Sequence, residues 1–223
     1  MLRANYLQVL ADIREDITKM GEKTVLSVMT AVSSFALNNV EQAQLSRQYE
    51  KEVDAMYKAI DDKCITTIAT QQPAAADLRF LVSTIKIANE VERVADYANN
   101  IAKIVQKKFP KLDLASLAPV TDGVTKLGEL AAAMLADAIR AYALNDAELA
   151  TQVRERDAEV NKLNKALIKD ILAIAMTNPQ NQEAVLEYNV AIRYIERVAD
   201  RATNIAEGVF YIATGFNVKD KKS

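Results

Sequence analysis

The chain has 223 residues, of which 50% are hydrophobic and 26% are charged, and its formal net charge is −2. This is the composition of an ordinary globular protein, and the small net charge gives no general attraction to nucleic acid or to an anionic membrane. The sequence contains no histidine and one cysteine, Cys64. These counts exclude histidine-dependent catalysis, histidine-ligated zinc, an intramolecular disulfide and a thiolate cluster, and we expect Cys64 to fill the hydrophobic core.

The sequence favours an all-α fold. Five glycines and four prolines are few for this length, and residues with high helix propensity are abundant. The N-terminus lacks the continuous apolar core of a signal peptide, and no stretch approaches the ~18–20 apolar residues of a membrane span. We therefore expect a cytoplasmic protein that meets a membrane only through its partners.

Six helices are predicted, at about residues 5–37, 40–70, 74–109, 120–144, 145–176 and 181–213. In the first helix, apolar residues recur at spacings of three and four, which is the period of an amphipathic helix. Asn38 with Glu41, and Asn145 with Glu148, have the spacing of a capping box and predict the starts of the second and fifth helices. Pro73 ends the second helix, because proline disfavours a helical conformation in the residue before it.

The second half of the chain repeats the first, at an offset of 107 residues in the first two helices of each repeat and 104 in the third. Gly21 and Gly128 are matched positions inside helices, and glycine there favours close contact with a neighbouring helix. Because the turns are short, consecutive helices are expected to be antiparallel, which gives two repeated three-helix bundles. The predicted division is residues 1–109 for the first bundle, 110–119 for a linker flanked by prolines, 120–215 for the second bundle and 216–223 for a frayed tail.

One motif recurs in both halves: the sequence ERVAD at residues 92–96 returns at residues 196–200. Each copy places a Glu and an Asp four residues apart on one face of a helix, where two like charges repel by ~0.2–0.5 kcal/mol. On a helical wheel this face lies opposite the main apolar stripe. We therefore expect both motifs at the bundle surface, where a cation would offset the repulsion.

The preceding helix of each repeat carries a companion pair with the same spacing. The second and third helices of an antiparallel bundle are neighbours, so the two pairs of each repeat are expected to converge. The predicted sites are Glu50, Asp54, Glu92 and Asp96 in the first repeat, and Asp157, Asn161, Glu196 and Asp200 in the second. Carboxylate and amide oxygens suit hard cations such as Mg²⁺, Ca²⁺, Mn²⁺ or oxidised iron, and bridging carboxylates can hold more than one ion.

Two other interpretations of these acidic residues stay open on spacing alone. Long helices carry many carboxylates, so the motifs are also consistent with a solvated acidic face. They are equally consistent with an ion-pair network in which Arg93 and Arg197 neutralise carboxylates on adjacent helices. The recurrence of paired motifs in both repeats favours the metal sites.

Three features together resemble the PhoU family of bacterial and archaeal regulators of phosphate uptake: QQPAAADLR at residues 71–79, the two ERVAD motifs, and NIAE at residues 204–207. The resemblance extends over essentially the whole chain, including the duplication. It implies a cytoplasmic, non-enzymatic protein, usually a homodimer, that acts as a negative regulator of phosphate uptake and of the phosphate-starvation response. It also implies two partners, the ATPase of the phosphate ABC transporter and a phosphate-sensing histidine kinase.

The resemblance further implies metal binding. Members of the family bind multinuclear metal clusters on the bundle surface through Glu/Asp-x-x-x-Asp pairs, which fall here on the eight residues of the two predicted sites, with iron, manganese or magnesium as the expected ions. The chain departs from the family at Ala95 and Ala199, where glycine is usual, and at Glu50 and Asp54, where aspartate and asparagine are commoner. Arg201 stands where histidine is frequent, and its charge beside Asp200 is expected to weaken metal binding in the second repeat.

Three other functions compete with this one. A metal-dependent phosphohydrolase would use a carboxylate-bridged metal cluster, but the sequence offers no obvious general base and no glycine-rich phosphate loop. A purely structural helical adaptor would bind no metal. An accessory helical protein of another phosphate transporter is the nearest alternative in function.

Overall fold

The structure is a computed structural model that describes residues 2–177 and 179–217. The long helices are α1 (Leu2–Leu37), α2 (Val40–Gln71), α3 (Ala75–Lys107), α4 (Ala118–Leu144), α5 (Ala147–Thr177) and α6 (Gln182–Thr214). The predicted all-α class and the order of six helices are confirmed. Most of the predicted frayed tail, residues 218–223, lies outside the described residues.

Each repeat folds as an antiparallel three-helix bundle, in which α2 packs on α1 and α3, and α5 packs on α4 and α6. The two bundles also pack on each other, through α1 with α4 and through α3 with α6. The apolar side chains of these four helices form one shared hydrophobic core, to which the inner faces of α2 and α5 also contribute. As a result α2 and α5 lie on the outside, and each presents a groove along its contact with the third helix of its repeat.

The contact between α1 and α4 explains the paired glycines. A Cβ atom at Gly21 would overlap the side chain of Ile139, and a Cβ atom at Gly128 would lie 2.5 Å from Cγ2 of Val32. Ile139 occupies in the second repeat the position of Val32 in the first, so a pseudo-two-fold axis relates the two contacts. The predicted close helix contact is confirmed, and it joins the two repeats.

The predicted helix caps were wrong by one residue. Asn38 has a positive φ of 48° and Asn145 one of 55°, so both end the preceding helix in the left-handed conformation that asparagine tolerates. The N-cap of α2 is Asn39, whose Oδ1 accepts a hydrogen bond of 3.0 Å from the backbone N–H of Gln42. Asp146 has the same role at the start of α5.

The predicted linker at residues 110–119 is short and partly helical. Residues 109–111 and 115–117 each form a single 3₁₀ turn, and α4 begins at Ala118, slightly before the predicted start. Pro119 stands in the first turn of α4, where its missing N–H is not needed. No helix in the described part of the chain is both long and apolar enough to cross a membrane.

Candidate metal centres

The first predicted site forms a groove between α2 and α3, which we name the first acidic groove (Glu50, Asp54, Glu92 and Asp96). All four side chains are half-buried rather than fully exposed. Desolvation is the largest cause that raises the pKa of Glu92; the negative charge of Asp96 adds to it, Arg93 opposes it, and the two carboxylates of α2 raise it further. The structure therefore brings the four predicted residues into one electrostatic neighbourhood.

Two cations partly neutralise this groove. Arg93 places Nη1 3.4 Å from Asp96 and Nε 3.7 Å from Glu92, both on its own helix, and Lys58 lies 2.8 Å from Asp54. Half-exposed pairs of this kind contribute only ~0–1 kcal/mol each. Two positive charges face four carboxylates, so the groove keeps a negative charge that a bound cation would balance.

The second predicted site forms the equivalent groove between α5 and α6, which we name the second acidic groove (Asp157, Asn161, Glu196 and Asp200). Nδ2 of Asn161 donates a hydrogen bond of 2.7 Å to Asp157. Desolvation raises the pKa of Asp200, and the charge of Asp157 raises it further, against the opposing charges of Arg201 and Arg197. The charge of Asp157 on α5 therefore acts on Asp200 across the contact between α5 and α6.

The guanidinium of Arg201 makes its hydrogen bonds with α3 and not with Asp200. Its guanidinium turns to α3, where Nη1 donates to Glu90 at 3.0 Å and Nη2 donates to the Tyr97 hydroxyl at 3.2 Å. Arg197 lies over the ring of Tyr97, 5.8 Å from its centroid. The charge of Arg201 still opposes the rise in the pKa of Asp200, so the expected weakening of metal binding in the second repeat stays a prediction.

Sequence reasoning missed three buried polar atoms beside the second acidic groove. Asn164 Oδ1, Thr203 Oγ1 and Arg154 Nε have no hydrogen-bond partner among the described residues, and Nε of Arg154 lies in an ion pair 3.4 Å from the carboxylate of Glu207. In the first repeat, the Nε of Arg47 donates a 3.1 Å hydrogen bond to Asn99, and Thr203 takes the place of Asn99 in the second repeat. The replacement of Asn by Thr is visible when the two repeats are aligned. Its effect on hydrogen bonding depends on how far each side chain extends in the folded chain.

The donor sets fit hard cations. The first groove offers four carboxylates, and the second offers three carboxylates with amide oxygens, which are the ligand types that Mg²⁺, Ca²⁺ and Mn²⁺ take. As the side chains stand, no three His, Cys, Asp or Glu groups of the described residues are arranged to hold a metal ion. In the first groove, Asp54 is turned to Lys58 and Asp96 to Arg93. Cation binding would therefore require these half-buried side chains to rotate.

Comparison with family models finds the PhoU domain twice in this chain, over residues 17–105 and 124–209. A relative from Rhizobium meliloti, named a phosphate-specific transport system accessory protein PhoU homolog, is 32% identical over 203 residues, which is 89% of this chain and 83% of that protein. A relative of the same name from Pseudomonas aeruginosa is 30% identical over 213 residues, 94% of this chain and 86% of the relative.

Solved structures agree with the sequence relatives. The crystal structure of PhoU from Pseudomonas aeruginosa has a TM-score of 0.89 to this chain at 28% identity, and covers 95% of this chain and 100% of that one. The phosphate transport system regulatory protein PhoU from Streptococcus pneumoniae has a TM-score of 0.84 at 26% identity, over 96% and 99% of the two chains. With the family domain matched in both repeats, the chain belongs to the PhoU family.

Proposed function

We propose that this chain is an accessory regulator of phosphate-specific transport that restrains phosphate uptake and the phosphate-starvation response. The observation that carries the proposal is the agreement over nearly the full length with PhoU relatives named as accessory proteins of that transport system. Regulation would act through binding to the ATPase of the phosphate ABC transporter and to a phosphate-sensing histidine kinase. The chain would act as a cytoplasmic, non-enzymatic homodimer.

Exposed apolar side chains support a role in partner binding. A groove of about 510 Å³ runs between α1 and α4, lined by Ile139 and other apolar residues together with the charged Glu22 and Arg140. At its edges Leu26 is 54% exposed and Leu144 is 66% exposed. Exposed apolar side chains beside a groove are available for contact with another protein, and we propose the transporter ATPase as the partner that binds here.

The acidic grooves would supply the metal-binding part of this function. In the first groove Glu92 and Asp96 of α3 would hold the ion together with the carboxylates of α2, and the second groove would act in the same way between α5 and α6. A bound hard cation, magnesium, manganese or iron, supplies positive charge that removes the repulsion among the carboxylates. The carboxylates in turn would fix the outer helix of each repeat against the third helix, which would hold the acidic faces of the bundle in one shape.

The regulatory part is tested by deleting the gene in its host and measuring a phosphate-scavenging reporter in phosphate-rich medium. We expect the reporter to be active in the deletion strain and silent again when the wild-type chain is restored. A reporter that stays silent in the deletion strain would refute the regulatory role. Complementation with a double variant, Glu92→Gln with Asp96→Asn, then shows whether the first acidic groove contributes.

Partner binding and assembly are tested with the purified full chain. We expect the tagged chain to retain the phosphate transporter ATPase of its host, and to lose it when Leu26 and Leu144 are both replaced by Asp. Light scattering should give twice the mass of one chain. Retention of a different phosphate transporter instead would support the alternative accessory role, and turnover of a phosphate ester with added Mn²⁺ would contradict the non-enzymatic one.

A further inference from the structure

Asn164 of α5 carries a buried oxygen that needs explanation. The residue is 4% exposed, and its Nδ2 donates a hydrogen bond of 2.6 Å to Oε1 of Glu196 on α6. Its Oδ1 has no donor among the described residues. A buried polar atom without a partner costs about 1–3 kcal/mol, so a chain that keeps this amide is expected to use its oxygen.

The orientation of the amide follows from its neighbour. A carboxylate only accepts hydrogen bonds, so the NH₂ group of Asn164 must face Glu196. The opposite orientation would set the carbonyl oxygen against a carboxylate oxygen. The free atom beside Glu196 is therefore an oxygen with both lone pairs available, which is a ligand for a cation.

The two repeats differ at this position. At the repeat offset of 107 residues, Asn164 matches Tyr57, and Asn161 matches Asp54. The first acidic groove thus has a carboxylate and a phenol where the second acidic groove has two amides. The second groove loses one negative charge relative to the first and gains one buried neutral oxygen.

We infer that Asn164 is a cation ligand of the second acidic groove, acting through Oδ1 together with Glu196. This inference rests on the proposed metal-binding function and adds a residue outside the paired motifs. Asp200 stands one helical turn beyond Glu196 on the same face of α6 and is placed to share the ion. The second site is therefore displaced along the groove toward Asn164, and it has fewer charges than the first.

A difference in affinity follows from these donor sets. Cation affinity in oxygen sites rises with the number of charged ligands. We expect the first acidic groove to bind Mn²⁺ more tightly than the second, so that the two grooves fill at different concentrations. Asn164 contributes only to the weaker of the two sites.

The test is titration of the full chain with Mn²⁺, in which electron paramagnetic resonance measures the concentration of the free ion. Two classes of site are expected in the wild type. Asn164→Leu should weaken the weaker class at least about tenfold, as loss of a metal-supporting group typically does, and leave the tighter class unchanged. The matched control Tyr57→Phe should change neither class, because Tyr57 is not a ligand.

Asn164→Asp keeps the inference testable if the leucine variant does not fold. It restores a carboxylate and should bind Mn²⁺ more tightly at the weaker class than the wild type does. Unchanged affinity in both Asn164 variants, with two classes still present, would overturn the inference and leave the proposed metal binding intact. Absence of any Mn²⁺ binding by the wild type would overturn both.

Discussion

Replacing Glu92 by Gln removes one charge from the first acidic groove while it keeps the size of the side chain. The Glu92 side chain is only 20% exposed, and its pKa is raised by desolvation first and then by the neighbouring carboxylates. A raised pKa means that the folded chain binds the proton more tightly than the unfolded chain, so ionisation of Glu92 costs stability as the pH rises above its unfolded value. Glu92→Gln should therefore stabilise the cation-free chain at pH 7.

The expected gain is small. The pair with Asp96, four residues away on α3, contributes a repulsion of ~0.2–0.5 kcal/mol, and the long contact with Arg93 that is lost offsets little of it because Arg93 is 52% exposed. We expect a gain of about 0.5 kcal/mol in the free energy of unfolding, which follows from that pair energy with the more distant carboxylates of α2 added. For a chain of this size the Tm should rise by about 1–2 °C.

Added cation should reverse the order of stability of the wild type and Glu92→Gln. Mn²⁺ at a hundred times its Kd stabilises a protein by about 2.7 kcal/mol when it binds only the folded state. The wild type should gain this stability, and Glu92→Gln should gain less because one ligand is lost. With cation present, the wild type becomes the more stable of the two.

The assay is urea denaturation of both proteins at pH 7, once with EDTA and once with excess Mn²⁺. Glu90→Gln is the matched control, since the Glu90 side chain is 21% exposed on the same helix but pairs with Arg201 at 3.0 Å; it should destabilise the chain under both conditions. Equal stabilisation of wild type and Glu92→Gln by Mn²⁺ would refute the reasoning. The reasoning would also be refuted if Glu92→Gln lost as much stability in EDTA as the control does.

Three further experiments probe the fold. Gly21→Ala should destabilise the chain by about 1–3 kcal/mol in urea denaturation, because the new methyl group overlaps Ile139; unchanged stability would show that α1 and α4 are farther apart than described. Burial raises the pKa of Cys64 to about 12, so a thiol reagent should label it at pH 8 only after unfolding, and rapid labelling of the native chain would contradict its core position. Asn39→Ala should lower the free energy of unfolding by about 1 kcal/mol, because the cap on the N–H of Gln42 is lost. Asn38→Gly should be nearly neutral. A larger loss of stability in Asn38→Gly than in Asn39→Ala would instead support Asn38, the cap predicted from sequence.

The fold was largely predictable because its signals are local. Helical periodicity, the prolines at the turns and the duplication gave the six helices and their order. The cap assignments failed because both connections hold two adjacent residues able to cap, Asn38-Asn39 and Asn145-Asp146. Only the backbone shows that the first of each pair takes the left-handed conformation that ends the preceding helix.

The sequence predicted which helices carry the acidic residues, and the binding of metal by these residues stays a prediction. Spacing on adjacent helices sufficed to group Glu92 and Asp96 with the carboxylates of α2. Side-chain direction is a tertiary property, so the sequence could not show that Arg201 turns away to Glu90 on α3. Asn164 was missed for the same reason, since its importance comes from burial and an unpaired oxygen rather than from any motif.

Crystals of the full chain grown with Mn²⁺, with diffraction collected at the manganese absorption edge, test the central claim of two cation sites most directly. We predict anomalous peaks in both acidic grooves, the first in contact with Glu92 and Asp96, and the second in contact with Glu196 and Asn164. If neither groove shows a peak at a Mn²⁺ concentration that saturates the chain in solution, the result would contradict the account.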